Sequence, residues 1–386
     1  MIEKLATSSL KLGIISGGQL GKMLIQEASK WAIATYVLDP DPDCPAKRIA
    51  TVHVEGDFLD FDTVYAFGKE VDILTYEMEN INIEALIKLK VDGYKVVPDP
   101  EVLALIQDKG LQKEFYKKHN IPTSPFSCYE NSDAIHKAIE EKHFSYPFVQ
   151  KLRKGGYDGH GVALINSAED TLLDGSSMLE KKVEIDKEIA VIVARNDLGE
   201  VSCFPAVEMT FNAQTNLVED LFCPANISQE DVNSAENLAI QIIEKLGMVG
   251  LLAVEFFIDK NGEILVNEVA PRPHNSGHHT IESVMTSQLE QMLRAILGLP
   301  LGSTQLIMPS VMLNLLGEAG HEGAVHYEGL SEVLAMEGVK VHLYGKKNTR
   351  PSRKMGHVTV LSETVESALE TANKVKNILK VKSWEK

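Results

Sequence analysis

The run Leu251 to His279, LLAVEFFIDKNGEILVNEVAPRPHNSGHH, constrains the fold of this chain more than any other stretch. Val254, Phe256 and Ile258 alternate with Ala253, Glu255 and Phe257, and Ile264 to Val269 forms a return strand. Asp259-Lys-Asn-Gly262 supplies the turn between them. Glu255 and Glu268 therefore lie on neighbouring antiparallel strands, each flanked by apolar residues. A carboxylate among apolar side chains is costly to bury unless it is paired or holds a metal. Two side by side repel, and a divalent cation relieves the repulsion. With Asn267 adjacent, the hard oxygen donors suit magnesium, which usually arrives bound to phosphates. On spacing alone, a hairpin with two solvent-facing carboxylates is an equally good reading. The loop Arg272 to His279 that follows tips the balance toward a site.

A chain of 386 residues is long enough for two or three domains. Its net charge of −17 argues against nonspecific nucleic-acid binding, which needs a basic footprint. Small anionic ligands stay open to it wherever basic residues gather locally. Cys44, Cys128, Cys203 and Cys223 are scattered without a CxxC, which points to reduced thiols, no zinc site and a cytoplasmic location. The start, MIEKLATSSLKLG, has no long apolar core and does not read as a secretory signal. The longest uncharged stretch, Leu297 to Gly317, is broken by Pro300 and Pro309 and does not read as a membrane span.

Lys11 to Ser16 is a short apolar run ending at Gly17-Gly18-Gln19-Leu20-Gly21, after which Met23, Leu24, Ala28 and Trp31 recur at helical spacing. A strand, a glycine-rich turn and a helix open a nucleotide-binding α/β unit, with room for a phosphate at the helix N-terminus. The spacing does not match G-x-G-x-x-G. A second strand, Ala34 to Leu38, ends in Asp39, the acid a dehydrogenase would need, but the prolines after it weaken that reading. Strands at Val71 to Thr75 and Lys95 to Val97 flank a helix at Asn82 to Leu89, so a parallel sheet with helices on both faces is expected. Glu77 and Glu79, in Thr75-Tyr-Glu-Met-Glu-Asn80, follow the carboxyl end of the Val71 strand, where ligands of such sheets gather. Read alone, they also fit a polar loop.

Asp108 to Asn120 reads as a lysine-rich helix with Lys109 at its start. The strand Phe148 to Lys151 leads into Arg153-Lys-Gly-Gly-Tyr-Asp-Gly-His-Gly161, and Val162 to Ile165 follows. Four glycines in seven residues make a flap whose backbone N–H groups can close over phosphates. It is not a Walker loop, because G-K-[ST] is missing. Met178 to Val183 runs into Glu188 to Val193, and this extended segment suits either an adenine edge or any surface strand. Asn233 to Leu246 is an amphipathic helix. Near the end, Tyr344 to His357 holds five Lys or Arg residues in fourteen positions of an acidic chain, between strands at Val341 to Tyr344 and His357 to Leu361.

Together these pieces resemble the ATP-grasp superfamily, through Lys151, the flap Gly155 to Gly161, the Glu180 to Val183 hinge, Glu188, Glu255, Asn267 and Glu268. Within it the chain is similar to the N5-carboxyaminoimidazole ribonucleotide synthetase family of purine biosynthesis. SGGQLGKM, TYEMEN, GGYDGHG, NEVAPRPHNSGHHT and RKMGH stand in that family's order, spanning Gly17 to His357. The resemblance implies a doubly wound N-terminal domain over residues 1–107, ATP-grasp subdomains over 108–299, and a small β-rich domain over 300–386. It implies ATP-dependent phosphorylation of bicarbonate to carboxyphosphate, and carboxylation of the 5-amino group of 5-aminoimidazole ribonucleotide. ATP would be held by Lys109, Lys151, Gly156, Tyr157, Asp158, Gly159, His160, Gly161, Glu180, Lys181, Lys182, Val183, Glu188, Asn267 and Glu268. Magnesium would sit on Glu255 and Glu268, and bicarbonate on Arg272, His274 and Asn275. The ribonucleotide would meet Gln19, Leu20, Glu77 or Glu79, Tyr157, Asp158, Lys346, Arg353 and Lys354. A cytoplasmic homodimer, with neither nucleic acid nor membrane as partner, completes the expectation.

Three positions depart from the family pattern. Ser16 replaces a frequent glycine, His160 stands where arginine or lysine is common, and Phe211 falls near a position where a histidine is often assigned to ATP. A formate-dependent glycinamide ribonucleotide transformylase-like enzyme shares the NEVAPRPH loop, but Asn275-Ser276-Gly277-His278 and Tyr157-Asp158 point away from it. A nicotinamide-dependent oxidoreductase and a nucleotide-binding regulator without catalysis are the alternatives from other classes.

Overall fold

The computed structural model describes residues 2–156, 161–211 and 218–384. Four parallel strands, Lys11–Ile15, Ala34–Asp39, Val52–Glu55 and Ile73–Tyr76, form the first sheet, in the spatial order third, second, first, fourth. The Lys11 strand is buried along all but its first residue, as expected of a parallel strand covered on both faces. Helix starts follow the side-chain caps: Asp60, Asn82 and Asp99 each accept a backbone N–H of their own first turn. The Val52–Glu55 strand and the Phe61–Gly68 helix extend the sheet beyond the elements read from sequence. The expected strand at Lys95 to Val97 shrinks to one parallel bridge, Leu74 to Val96. Pro98 follows it at once and Asp99 already caps the next helix, so no length remains for a ladder.

The middle of the chain builds two antiparallel sheets. Phe126–Tyr129, Phe148–Leu152, Val162–Ile165 and Ser177–Lys181 form a four-stranded sheet over a small core of Ile135, Phe148, Ile165 and Leu179. Residues 182–184 then carry the chain into a nine-stranded sheet that holds the Gly250–Asp259 and Ile264–Ala270 hairpin at one edge. Strands Ser310–Leu316, Lys354–Leu361 and Val339–Leu343 continue that sheet at its other end. A three-stranded sheet and the Val365–Ile378 helix cover the C-terminal part. Among the described residues, no helix is long and apolar enough to cross a membrane.

One core runs across the first and central parts. The Gln288–Leu297 helix buries Leu289, Met292, Leu293 and Ile296 in a cluster that also contains Met23 and Leu24 of the first helix after the glycine turn and Leu251 and Ala253 of the hairpin. Arg294 lies over the Trp31 ring at 5.9 Å. The glycine turn and the carboxylate hairpin thus share one rigid support.

The basic segment near the C-terminus is moored to Gly317, whose N–H donates to Arg353 O at 3.0 Å while its carbonyl accepts from Ser352 N at 2.9 Å. A Cβ on Gly317 would lie 2.1 Å from Arg350 O, a backbone atom that cannot move without shifting the turn. Gly317→Ala is therefore expected to destabilise the protein by about 1–3 kcal/mol, as overpacking does. Urea unfolding of the variant beside the parent protein checks this.

Candidate active site

The hairpin forms with Glu255 opposite Glu268, as the alternation requires. A β-bulge beside this pair sets Phe256 against Val266 and leaves Asn267 without a partner of its own. In a regular strand Asn267 and Glu268 would face opposite sides. Here Asn267 Oδ1 accepts from Lys151 Nζ at 3.0 Å while Glu268 Oε2 accepts from Lys109 Nζ at 2.6 Å, so both serve one site. The bulge was not legible in the alternation.

A cavity of about 670 Å³ opens over the pair. Gln19 and Leu20 come to it from the start of the Gln19–Ser29 helix, Glu77 and Glu79 from the loop after the Ile73–Tyr76 strand, and Lys109 from the helix Lys109–Lys118. Lys154, Gly155 and Gly156 come from the flap, and Arg272, His274, Asn275 and His278 from the loop after the hairpin. Lys354 enters from the C-terminal strand. Lys346 and Arg353 lie beside the cavity, not in its wall. Lys346 Nζ donates to Lys354 O at 2.8 Å, and Arg353 donates to Asn348 O at 2.8 Å. Lys22 ties this segment to the glycine turn by donating to Leu343 O at 2.8 Å and Tyr344 O at 3.1 Å. Tyr157, Asp158, Gly159 and His160 lie outside the described residues, and Gly161 closes the described end of the flap.

The two acids of TYEMEN have different settings, because the strand ends at Tyr76. Glu79 accepts from Arg272 Nη2 at 3.0 Å and from its Nε at 3.1 Å, which fixes the guanidinium in the cavity wall. Glu77 is buried and accepts from Ser16 Oγ at 2.9 Å. Ser16 has φ +75°, in the left-handed region, which is the physical reason for the glycine preference noted at this position. A Cβ on Gly18 would meet Glu77 Oε1 at 2.7 Å. The turn's glycines thus admit a carboxylate into their fold. Asp39 accepts from Gly17 N at 2.6 Å and Asp41 N at 2.8 Å, so the acid a dehydrogenase would offer to a ribose is engaged in local turns.

The remaining expected groups cluster on the hinge side. Lys151 pairs with Glu180 Oε2 at 2.6 Å, and Lys113 pairs with Glu180 Oε1 at 2.5 Å. Lys113 was not singled out in the sequence, though it stands one turn after Lys109 on the same helix face. Lys181 closes the strand that ends at the hinge, Lys182 and Val183 form the link, and Glu188 lies on the strand Ile185–Arg195 that follows. Asn275 exchanges side-chain amide hydrogen bonds with Asn314 at 2.8 and 3.0 Å, which holds the arginine loop to the central sheet. Two separate motifs meet where the His278 and His357 rings lie 4.7 Å apart, with His342 stacked on the far side of His357 at 4.4 Å.

Charge is distributed unevenly across the Glu255–Glu268 pair. Burial, reinforced by the neighbouring Glu268, pushes the Glu255 carboxyl above the usual range, whereas Lys109 holds Glu268 below it. His274 Nε2 lies 3.6 Å from Glu255 Oε1 and its Nδ1 is 2.9 Å from Ser276 Oγ. Burial also raises Glu188 to about 7. Two opposed carboxylates with an amide oxygen beside them fit a hard divalent cation. Among the described residues no three His, Cys, Asp or Glu side chains gather into a metal cage of their own. Magnesium is a hard cation of this kind, which keeps waters and takes phosphate oxygens as further ligands.

Three family models match the chain: the ribonucleotide synthetase preATP-grasp domain over residues 9–107, the ATP-grasp domain over 114–289, and the phosphoribosylaminoimidazole carboxylase C-terminal domain over 310–371. An N5-carboxyaminoimidazole ribonucleotide synthase of Bacillus subtilis (strain 168) is 36% identical over 358 residues, covering 91% of each chain. The chain belongs to the N5-carboxyaminoimidazole ribonucleotide synthase family. The crystal structure of the synthetase from Thermotoga maritima superposes with a TM-score of 0.89 at 46% identity, covering 97% of this chain and 100% of that one. The Aspergillus clavatus synthase, in complex with ADP and 5-aminoimidazole ribonucleotide, gives 0.86 at 31% identity, covering 95% and 98%.

Burial raises Glu77 to about 7, against the hydrogen bond from Ser16 and the charge of Arg272. A carboxyl whose folded pKa exceeds its unfolded value binds its proton more tightly when folded, so its contribution to stability is full below pH 4.5 and is lost as pH rises to 7. The ligand-free protein should lose about 3 kcal/mol across that interval on this account. Glu77→Gln should flatten the slope, and urea midpoints of both proteins from pH 4.5 to 7.5 measure it.

Proposed function

We propose that this chain carboxylates the 5-amino group of 5-aminoimidazole ribonucleotide, using ATP and bicarbonate and releasing ADP and phosphate. What carries the reading is the union, in one cavity, of the opposed Glu255 and Glu268 with Arg272, His274 and Lys354 and with Gln19, Glu77 and Glu79. ATP would lie between the two antiparallel sheets, with Lys151 and Lys109 toward its phosphates and the Glu180 to Val183 link along its adenine. Gly156 and Gly161, with Tyr157, Asp158, Gly159 and His160 between them, would close over it and exclude water. Glu255 and Glu268 would hold magnesium, which supplies charge neutralisation at the phosphates.

Arg272 presents a planar donor fork suited to bicarbonate, and its Glu79 partner holds it in place before bicarbonate arrives. His274 and Asn275 bound the same position, and Lys354 adds a positive charge beside it. The bicarbonate oxygen bonds to the γ-phosphorus as the bond to ADP breaks, giving carboxyphosphate. The amine nitrogen then bonds to the carboxyl carbon, taken from carboxyphosphate or as the CO2 it releases, while the carbon–oxygen bond to phosphate breaks and the proton given up by the amine leaves with phosphate. The ribonucleotide would rest on Gln19, Leu20, Tyr157 and Asp158, with Glu77 below and its 5′-phosphate toward Lys346 and Arg353. In this division of labour, residues 1–107 supply ribonucleotide contacts, 108–299 the ATP and bicarbonate contacts together with Tyr157 and Asp158 toward the ribonucleotide, and 300–386 the 5′-phosphate contacts and Lys354. A homodimer in the cytoplasm is part of the proposal.

ATP turnover should require both 5-aminoimidazole ribonucleotide and bicarbonate, and should not appear with glycinamide ribonucleotide and formate. The reverse result would replace this reading with the transformylase one. Arg272→Ala should lower kcat/KM for bicarbonate by about 10²–10³-fold, the scale of losing one preorganised charge-stabilising group. Glu255→Ala and Glu268→Ala variants that kept full turnover would remove the metal assignment.

A further inference from the structure

Lys113 has no part in the chemistry above, yet it is 2% exposed and carries an ammonium group. A buried lysine needs partners for its charge and its three N–H donors. Glu180 Oε1 lies 2.5 Å from its Nζ, Thr123 Oγ1 accepts a short hydrogen bond from it, and Val266 O lies at 3.4 Å. Glu180 is 4% exposed, accepts from Ser124 Oγ at 2.6 Å on the same Oε1, and gives its Oε2 to Lys151 at 2.6 Å. Lys151 in turn reaches Asn267. The three charged groups come from the helix Lys109–Lys118 and the strands Phe148–Leu152 and Ser177–Lys181. Val266 and Asn267 belong to the hairpin strand that carries Glu268.

Two lysines share one carboxylate, so the buried cluster carries one net positive charge. Lys109, the neighbouring cation on the same helix, is already matched by Glu268 at 2.6 Å. If Lys113 were neutral, Glu180 would cancel Lys151 and nothing in this cluster would be left over for a phosphate. We propose that Lys113 is a positioning residue that occupies one oxygen of Glu180, leaving the charge of Lys151 available to the phosphates of ATP. Lys113 touches no substrate in this arrangement and acts through Glu180. Burial draws Lys113 down to about 8 against the pull of Glu180, which leaves it charged at neutral pH. The inference rests on the ATP role proposed above for Lys151.

The test measures ATP binding by calorimetry with magnesium present, and the KM values of ATP and ribonucleotide, on the full chain. Lys113→Met removes one unit charge near the phosphates and should weaken ATP binding about tenfold, while the ribonucleotide KM changes less than about twofold. Lys113→Arg keeps the unit charge beside Glu180 and should hold ATP affinity to within about threefold of the parent, whereas Lys113→Gln, which keeps a hydrogen-bond donor without the charge, should lose as much as Lys113→Met. Unchanged ATP binding in Lys113→Met, or a Lys113→Arg variant no better than it, overturns the proposal. If Lys113→Met is too unstable to assay, Lys113→Gln takes its place, and ATP binding within about twofold of the parent refutes the charge account. Lys151→Met separates the two readings: if it binds ATP normally, the phosphate role of Lys151 fails, and the inference about Lys113 fails with it.

Discussion

Glu255 and Glu268 face each other across a strand pair inside a protein, and two carboxylates so placed repel. Much of the surrounding structure answers that repulsion. Lys109 reaches from another helix to hold one carboxylate ionised, burial leaves the other inclined to keep its proton, and His274 and Lys354 come to the same space. On the proposed reading, a cation with phosphates attached would take over that compensation when it binds. In a chain of net charge −17, the basic residues that matter are those gathered at this one point.

The same logic recurs at smaller scale around the cavity. Arg272 is preset by Glu79, Lys151 by Glu180, and Asp108 accepts a two-point ion pair from Arg153 at 2.9 and 2.8 Å at the entrance to the flap. In each of these three pairs an acid fixes the direction of the cation. Preorganisation of this kind lowers the ordering cost when ligands arrive, because the side chains have already lost their freedom. The asparagine pair Asn275–Asn314 does the same for the loop backbone without adding charge.

How much was legible in the sequence follows from how local each signal is. The opposition of Glu255 and Glu268 was readable because a short Asp-Lys-Asn-Gly turn sets the hairpin register, and Gly262 takes the φ of +82° that such a turn needs. The bulge at Asn267 was not, since one residue slipping out of register leaves the apolar alternation almost intact. Glu79 could not be separated from Glu77, because that choice depends on where the strand stops and on Arg272, 193 residues away. Lys113 stayed hidden because it lies on a helix and its partner Glu180 on a strand far along the chain. The short Val52–Glu55 strand escaped because none of its residues is fully buried, so it carries little apolar pattern.

The shared core has a bearing on how such a chain can be taken apart. Family models divide it into three consecutive stretches, yet Leu24 and Met23 of the first stretch pack in the same cluster as Leu251, Val284 and Leu289 of the second. The last stretch adds its strands to a sheet begun in the second. The small sheet around Phe148 and Leu179 keeps a core to itself, and the first sheet has a second core of its own around Phe67, Leu86 and Leu89 besides the shared one. A segment cut at the boundaries of the first model would carry away half of an interface and leave an oily face on both pieces. Grafting between relatives would therefore tolerate exchange of the flap-bearing sheet far better than exchange of the N-terminal third.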